Sequence, residues 1–247
     1  MSTKIEWTDK TWNPITGCTK YSEGCLHCYA ETMSRRLRGM GVEKYRNEFA
    51  LTLHEESLEE PLRWRKPHNI FVCSMSDLFH KDVPYEFIDR VFEVIKQTPQ
   101  HRYQVLTKRA ERMAEYFSLH EVPKNVWLGV TVENAEYKYR IDLLREIPAT
   151  IHFLSCEPLL GSLGNLNLSN IEWVIVGGES GASARPMSEA WVLEIKEQVV
   201  AQGSAFFFKQ WGTWGRDGIK RSKYANGKLL QGKVIQEMPL IKELQLV

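Results

Sequence analysis

The sequence predicts an α/β protein on parallel strands: a full or partial (β/α) barrel, or an open doubly wound sheet. Three observations predict it. Short apolar runs rich in β-branched and aromatic residues recur along the 247 residues. Segments of helical period lie between most of them, and most runs end in a polar or glycine cluster. Near-continuous apolar runs are what strands buried on both faces look like. Strand and helix alternating every ~20–35 residues indicates βα units feeding one sheet.

A first strand is expected near 11–15, just before a cluster of cysteines. Six more follow at 69–74 (NIFVCS), 102–107 (RYQVLT), 125–131 (NVWLGVT), 150–155 (TIHFLS), 172–177 (EWVIVG) and 204–209 (SAFFFK). Phe87, Ile88, Val91, Phe92 and Ile95 share a helix face between 82–84 and Pro99. Tyr137, Ile141 and Leu144 share another, opened by Asn134 and closed before Pro148. Trp191, Val192, Ile195 and Val199 make a third, with Ser188 as N-cap and Gly203 beyond the end. The connection 161–170 is too short and too rich in Gly and Asn for a helix. No linker, low-complexity tract or repeat divides the chain, so 1–247 reads as one domain. The stretch from about 215 reads as a peripheral hairpin or loop.

Composition narrows the function. At 43% hydrophobic residues the chain can bury a core, and its length suits a single sizeable domain. Thirty-two basic against 31 acidic side chains, a formal charge of +1, give no global attraction to nucleic acid or an anionic membrane. The opening MSTKIEWTD carries charge and no apolar run, unlike a signal peptide. No stretch approaches the roughly 20 apolar residues of a membrane span. The expectation is a soluble, cytoplasmic protein with no membrane partner. In that reducing setting the five cysteines read as ligands or core residues, not as disulfides. Cys73 and Cys156 lie inside apolar runs and read as small core residues.

The other three, Cys18, Cys25 and Cys28, crowd into eleven residues. Three thiolates without an obvious fourth partner suggest a metal centre with one open position. A structural zinc site usually offers two pairs of ligands and closes its shell with four. Here the only candidate fourth ligands are His27, whose ring lies between two cysteines, and His54. A three-cysteine iron–sulfur site fits better, because one iron is left free for a ligand. Structural zinc stays as the alternative.

The cluster resembles the signature of the radical SAM enzymes, a three-cysteine loop after the first strand of a (β/α) barrel, most often Cys-x3-Cys-x2-Cys. Here the first spacing is six residues instead of three, and His27 stands where an aromatic residue usually precedes the last cysteine. A more specific resemblance is to a phage-associated three-Cys-motif family of unknown function related to those enzymes. It rests on 7–18 (WTDKTWNPITGC), 106–109 (LTKR), 155–160 (SCEPLL), 177–181 (GGESG) and 208–212 (FKQWG). The resemblance implies a barrel of the radical SAM type. It implies a [4Fe–4S] cluster on Cys18, Cys25 and Cys28, whose open iron binds S-adenosylmethionine (SAM). It also implies an electron donor, since one-electron reduction cleaves the SAM C–S bond to a 5′-deoxyadenosyl radical.

Working residues in parallel barrels sit at the C-terminal ends of strands. The second strand ends in Ser76 and Asp77, where the radical SAM enzymes commonly carry a Gly-Gly-Glu for the SAM amino group. Lys108 and Arg109 suit the SAM carboxylate or a substrate phosphate, or simply a solvated helix start. Thr131, Glu133 and Asn134 suit ribose hydroxyls, although Asn134 also suits a helix cap. Ser155 with Glu157, and Gly177, Gly178 and Glu179, complete the set. Those glycines suit either a tight turn or close approach of an adenine. Glu157 and Glu179 follow apolar strands and need partners such as Lys108, Arg109, Arg185 or Lys209.

The leading expectation is an enzyme that cleaves SAM reductively and acts on an unidentified substrate, a nucleobase or nucleic acid being one candidate. Basic-aromatic stretches at 35–38, 63–66 and 211–221 suit a nucleic-acid backbone and bases, or solvated faces with the tryptophans packed inward. A zinc- or cluster-stabilised nucleic-acid-binding protein and a redox sensor are the alternatives from other classes.

Overall fold

The structure, a computed structural model, describes residues 5–240. Part of the N-terminal segment read above, Met1 to Lys4, lies outside them. The described chain falls into two compact units: one up to Thr131 together with Tyr139–Thr150, the other Val132–Lys138 and the residues from Ile151 on.

In chain order the first unit holds β1 (Lys10–Trp12), β2 (Ile15–Thr16), α1 (Tyr29–Gly39), β3 (Thr52–Leu53), β4 (Asn69–Val72), α2 (Tyr85–Gln97), β5 (Arg102–Thr107), α3 (Ala110–Phe117), β6 (Val126–Thr131) and α4 (Tyr139–Arg145). Pairings β1/β4, β4/β5 and β5/β6 are all parallel, while β2 and β3 make a short antiparallel pair. All six positions of β6 are buried, which is why its sequence shows no alternation. Helix α2 closes over this sheet with Phe87, Ile88, Val91, Phe92, Val94 and Ile95. Each such side chain, fully buried, contributes about 1.5–3 kcal/mol. Phe92 stacks on Tyr116 of α3 at 5.5 Å and meets Phe117 edge-on at 5.3 Å.

The second unit holds β7 (Ile151–Cys156), β8 (Trp173–Gly177), α5 (Glu189–Ala201), β9 (Ala205–Gln210), α6 (Lys223–Asn226), β10 (Leu229–Leu230) and β11 (Lys233–Val234). Strands β7/β8 and β8/β9 pair in parallel, and β10/β11 form an antiparallel hairpin in the segment expected to be peripheral. Ser188 caps α5 by accepting the Ala190 amide at 3.2 Å, and Val192, Ile195 and Val199 are its buried face. No helix forms in 161–170.

The seven parallel strands follow the order β1-β4-β5-β6-β7-β8-β9. The first and last are not neighbours, so the sheet is open, the partial form of the expected barrel. Helix α1 was absent from the sequence expectation, and α3 entered it only as a helix start at Lys108 and Arg109. The helix expected from Asn134 starts as a 3₁₀ turn, Ala135–Lys138, and becomes α-helical only at Tyr139.

Candidate metal and cofactor site

The cysteine loop begins where β2 ends, and its path is fixed by backbone. Gly17 has φ +80°, and a Cβ there would stand 2.2 Å from the Ala50 carbonyl oxygen, so only glycine lets the chain pass. The Gly17 amide donates to the Met75 carbonyl at 3.1 Å and the Cys18 amide to Phe49 at 3.2 Å. Cys25 closes a 3₁₀ turn, and Cys28 is the N-cap of α1. All three thiols are half-buried. Burial, the Asp77 charge and, more weakly, Cys25 push Cys18 up to about 11, with Arg109 pulling the other way. Burial also raises Cys28, against the pull of the Glu31 and Ala30 amides at the helix start. Cys25 is near enough to act on both.

Among the described residues no three His, Cys, Asp or Glu side chains are gathered to hold one metal ion. A single zinc needs its thiolates about 2.3 Å from one point, whereas a cluster spreads them over different irons. The thiols are the donor type an iron–sulfur cluster takes, and Arg109 and Lys108 lie near enough to Cys18 and Cys28 to offset the negative charge of thiolates. His27 lies half-buried in the turn between Cys25 and Cys28.

Arg109, 6% exposed, ties the loop to the strand ends. Its Nη1 donates to Asp77 Oδ2 at 2.8 Å and to Cys18 Sγ at 3.6 Å, and its Nη2 to the Thr19 carbonyl at 3.1 Å. Burial opposes its charge, but Asp77 and Cys18 outweigh that and raise its pKa. Asp77, also 6% exposed, accepts further from Thr107 Oγ1 at 2.7 Å and the Phe79 amide at 2.9 Å. The carboxylate expected to meet a SAM amino group is therefore engaged by Arg109 and Thr107. Ser76 Oγ donates to the Ile15 carbonyl at 2.8 Å. Lys108 is half-buried and acts electrostatically on Cys28.

Three participants were missed by sequence reasoning. Thr19 Oγ1 lies 2.8 Å from His80 Nε2. His80 Nδ1 accepts the Asp82 amide at 3.2 Å, so Nε2 carries the hydrogen and donates to Thr19. Tyr21 sits in the cysteine loop with the Arg109 guanidinium 4.9 Å and the Arg140 guanidinium 5.6 Å from its ring. A signal was available for Thr19 and Tyr21, which lie between the cysteines; nothing local marks His80. A cleft of about 270 Å³ opens here, lined by Thr19, Lys20, Tyr21, Lys81, Arg109, Glu111 and Arg112.

At the end of β6, the Thr131 carbonyl accepts from Arg140 Nη1 at 2.7 Å. The remaining expected residues belong to the second unit. Glu133 is fully buried, and Asn134 Oδ1 accepts the Glu136 amide at 2.9 Å, as a turn cap does. Glu157 pairs with Lys209 at 2.7 Å and accepts from Ser155 Oγ at 3.3 Å. Glu179 pairs with Arg185 at 2.6 Å. Both carboxylates after apolar strands thus have cationic partners from the expected set. Gly177 packs on the Glu157 carboxylate, and a Cβ on Gly178 would lie 1.9 Å from the Trp211 carbonyl oxygen. Gly178 thus serves a close backbone crossing, and Gly177 leaves room for the Glu157 side chain. Cys73 and Cys156 are buried and their thiols raised by burial.

Comparisons with known proteins add the following. No curated protein matches the chain. Three solved structures are similar at low identity. A cysteine-to-serine mutant of spore photoproduct lyase is 13% identical with TM-score 0.48, over 89% of this chain and 69% of that one. Spore photoproduct lyase complexed with dinucleoside spore photoproduct is 12% identical with TM-score 0.40, over 75% of this chain and 59% of that one. A cysteine-to-alanine mutant with the same ligand is 13% identical with TM-score 0.35, over 74% and 58%. A family model covers nearly the whole sequence, residues 2–239. The chain belongs to the family described as "Protein of unknown function (DUF5131)".

Proposed function

We propose that the chain is a radical SAM-like enzyme, with Cys18, Cys25 and Cys28 holding a [4Fe–4S] cluster. The observation that carries the reading is the convergence on one cysteine loop of groups from successive strand ends. Asp77 follows β4 and Arg109 follows β5, and Arg109 donates to Cys18. A merely structural thiol cluster has no need of a buried ion pair, which is costly to desolvate.

When bound, the cluster supplies the single electron that breaks the SAM C–S bond. The chain's own residues bind and orient. Gly17 and the amides of Gly17 and Cys18 fix where the loop starts. Asp77 holds Arg109, and Arg109 places a cation and an N–H against Cys18. Thr19, oriented by His80, shares the Arg109 guanidinium. Lys20, Lys81 and Arg112 line the adjacent cleft and suit a carboxylate such as that of SAM. His27 within the loop, and Ser76 and Lys108 beside it, are proposed as further cofactor-binding residues. Thr131 in the first unit and, in the second, Glu133, Asn134, Ser155, Glu157, Gly177, Gly178 and Glu179 are each proposed as SAM- or substrate-binding residues. The substrate is taken to be a nucleobase or nucleic acid, and an electron donor is required.

The test is the electron paramagnetic resonance spectrum of anaerobically reconstituted, reduced protein with and without SAM. A [4Fe–4S]⁺ signal that changes on adding SAM is the expected result. Stoichiometric zinc in a silent sample, or a cluster signal blind to SAM, would overturn the reading in favour of a nucleic-acid-binding or redox-sensing protein.

A further inference from the structure

The near-neutral charge of this chain conceals a strong asymmetry. Residues 216–233 carry six basic side chains, Arg216, Lys220, Arg221, Lys223, Lys228 and Lys233, against one acid, Asp217. That segment is +5, so a whole chain at +1 leaves −4 for everything else. Charge segregated in this way is the electrostatic footprint of a polyanion partner.

The segment is folded onto the second unit. The Arg221 amide donates to the Thr213 carbonyl at 2.9 Å, and the Trp211 amide to the Gly227 carbonyl at 3.2 Å. Asn226 Nδ2 donates to the Gly212 and Thr213 carbonyls at 3.0 and 2.9 Å. Beyond the β10/β11 hairpin, the Phe208 amide donates to the Ile235 carbonyl at 2.8 Å, which docks the segment on β9. Arg221 is occupied by Asp217 at 2.7 Å, and Arg216 lies 3.7 Å from Glu189. Among the described residues no carboxylate pairs with Lys220, Lys223 or Lys233. Lys220 lies over the Trp214 ring at 5.0 Å and Lys223 over Tyr224 at 5.4 Å. Tyr224 is 74% exposed, the most exposed aromatic side chain among the described residues.

We propose that this segment is a binding surface for single-stranded nucleic acid, with Lys220, Lys223 and Lys233 on phosphates and Tyr224 as a stacking platform. Cations beside an exposed aromatic ring are the combination single strands use. A membrane is the poorer occupant, because α6 has only four residues, too few to lay an apolar helical face in a headgroup layer. The surface involves none of the cysteines, so the inference goes beyond the radical reading and does not depend on it.

The test is fluorescence anisotropy of a labelled single-stranded oligonucleotide titrated with the full chain across 50–200 mM salt. Binding should weaken with salt. The variant K220E/K223E/K233E should abolish it, and the milder K220Q/K223Q/K233Q should flatten the log–log salt slope by about 2, at about 0.7 per lost phosphate contact. Tyr224→Ala should weaken binding about 5- to 100-fold at unchanged salt slope. All substitutions are at exposed positions, and a circular dichroism melt checks that the variants fold. Salt-insensitive binding, unchanged binding by the charge-reversed variant, or binding to anionic lipid vesicles with none to the oligonucleotide would overturn the proposal. The readout is equilibrium binding, so its failure is distinct from failure of the SAM test.

Discussion

Arg109 is the residue on which most of the candidate site turns. It sits between a buried carboxylate and a candidate metal thiolate, so neighbouring substitutions should move the same observable in opposite directions. Arg109→Gln removes a cation and an N–H donor from beside Cys18, which disfavours the more negative, reduced cluster. Asp77→Asn removes an anion from the same environment and favours it. A spectroscopic redox titration should give a more negative midpoint for the first variant and a more positive one for the second. The shift should be on the order of 60 mV each, a tenfold change in fraction reduced for one electron. Arg109→Lys should recover most of the charge effect. Equal shifts of one sign, or none with the cluster retained, would leave the pair a purely structural role. Breaking the pair should also destabilise the fold by about 3 kcal/mol, since one buried charge loses its partner. Glycines give a second contrast at this scale. Gly178→Ala drives a Cβ into the Trp211 carbonyl and should cost upwards of about 3 kcal/mol in urea unfolding. Gly39→Ala meets nothing within 4 Å at the end of α1 and should stabilise by up to about 1 kcal/mol.

Elements differ in how plainly the sequence announces them. Strands β4 to β9 begin within one residue of expectation, because burial on both faces leaves an unbroken apolar run. Helix α1 gives no such signal. Its only buried residues are Ala30 and Ser34, while Met33 and three arginines face solvent. Helix α3 does carry a stripe, with Ala110, Met113, Tyr116 and Phe117 buried at helical spacing, a two-turn signal that sequence reasoning passed over. Asp77 and Arg109 could be picked out as candidates because each follows the C-terminal end of a parallel strand, β4 and β5. Lys209 and Arg185 were among the partners expected for Glu157 and Glu179, but other pairings were not legible: Arg109 meets Asp77 across 32 residues, and Thr19 meets His80 across 61, and no local pattern encodes such pairings. The same holds for the histidines at strand starts. His68, just before β4, stacks on His101, just before β5, at 5.7 Å and 23°. In His54, His68, His80 and His101 burial is the leading cause of a lowered pKa. A lowered folded pKa means the unfolded chain takes up protons first. The stabilisation is therefore complete above the unfolded value of about 6.5 and is lost as pH falls from there through the lower folded value. The urea midpoint of the metal-free protein should drop between pH 7.5 and 5.5, and His68→Gln/His101→Gln should flatten that slope.

At the scale of the whole molecule, loading the site and folding should be linked. The cysteine loop is held by backbone bonds to Met75 and Phe49 and opens directly into α1, so its geometry exists only when the surrounding sheet does. A group bound to the native loop but not to the unfolded chain stabilises by about 2.7 kcal/mol at one hundred times its dissociation constant. Cys18 and Cys28 carry raised thiol pKa values, with Cys18 up to about 11. Binding must therefore displace protons, and the stabilisation should grow as pH rises. Urea unfolding of reconstituted and metal-free protein, followed at two pH values, measures both effects together. The expected result is a higher midpoint for the loaded chain, a larger gap at the higher pH, and no gap in Cys25→Ala. A gap that survives Cys25→Ala would mean the metal is held elsewhere. A gap that shrinks as pH rises would mean the bound group does not displace thiol protons, and the assignment of Cys18 and Cys28 as its ligands would fall.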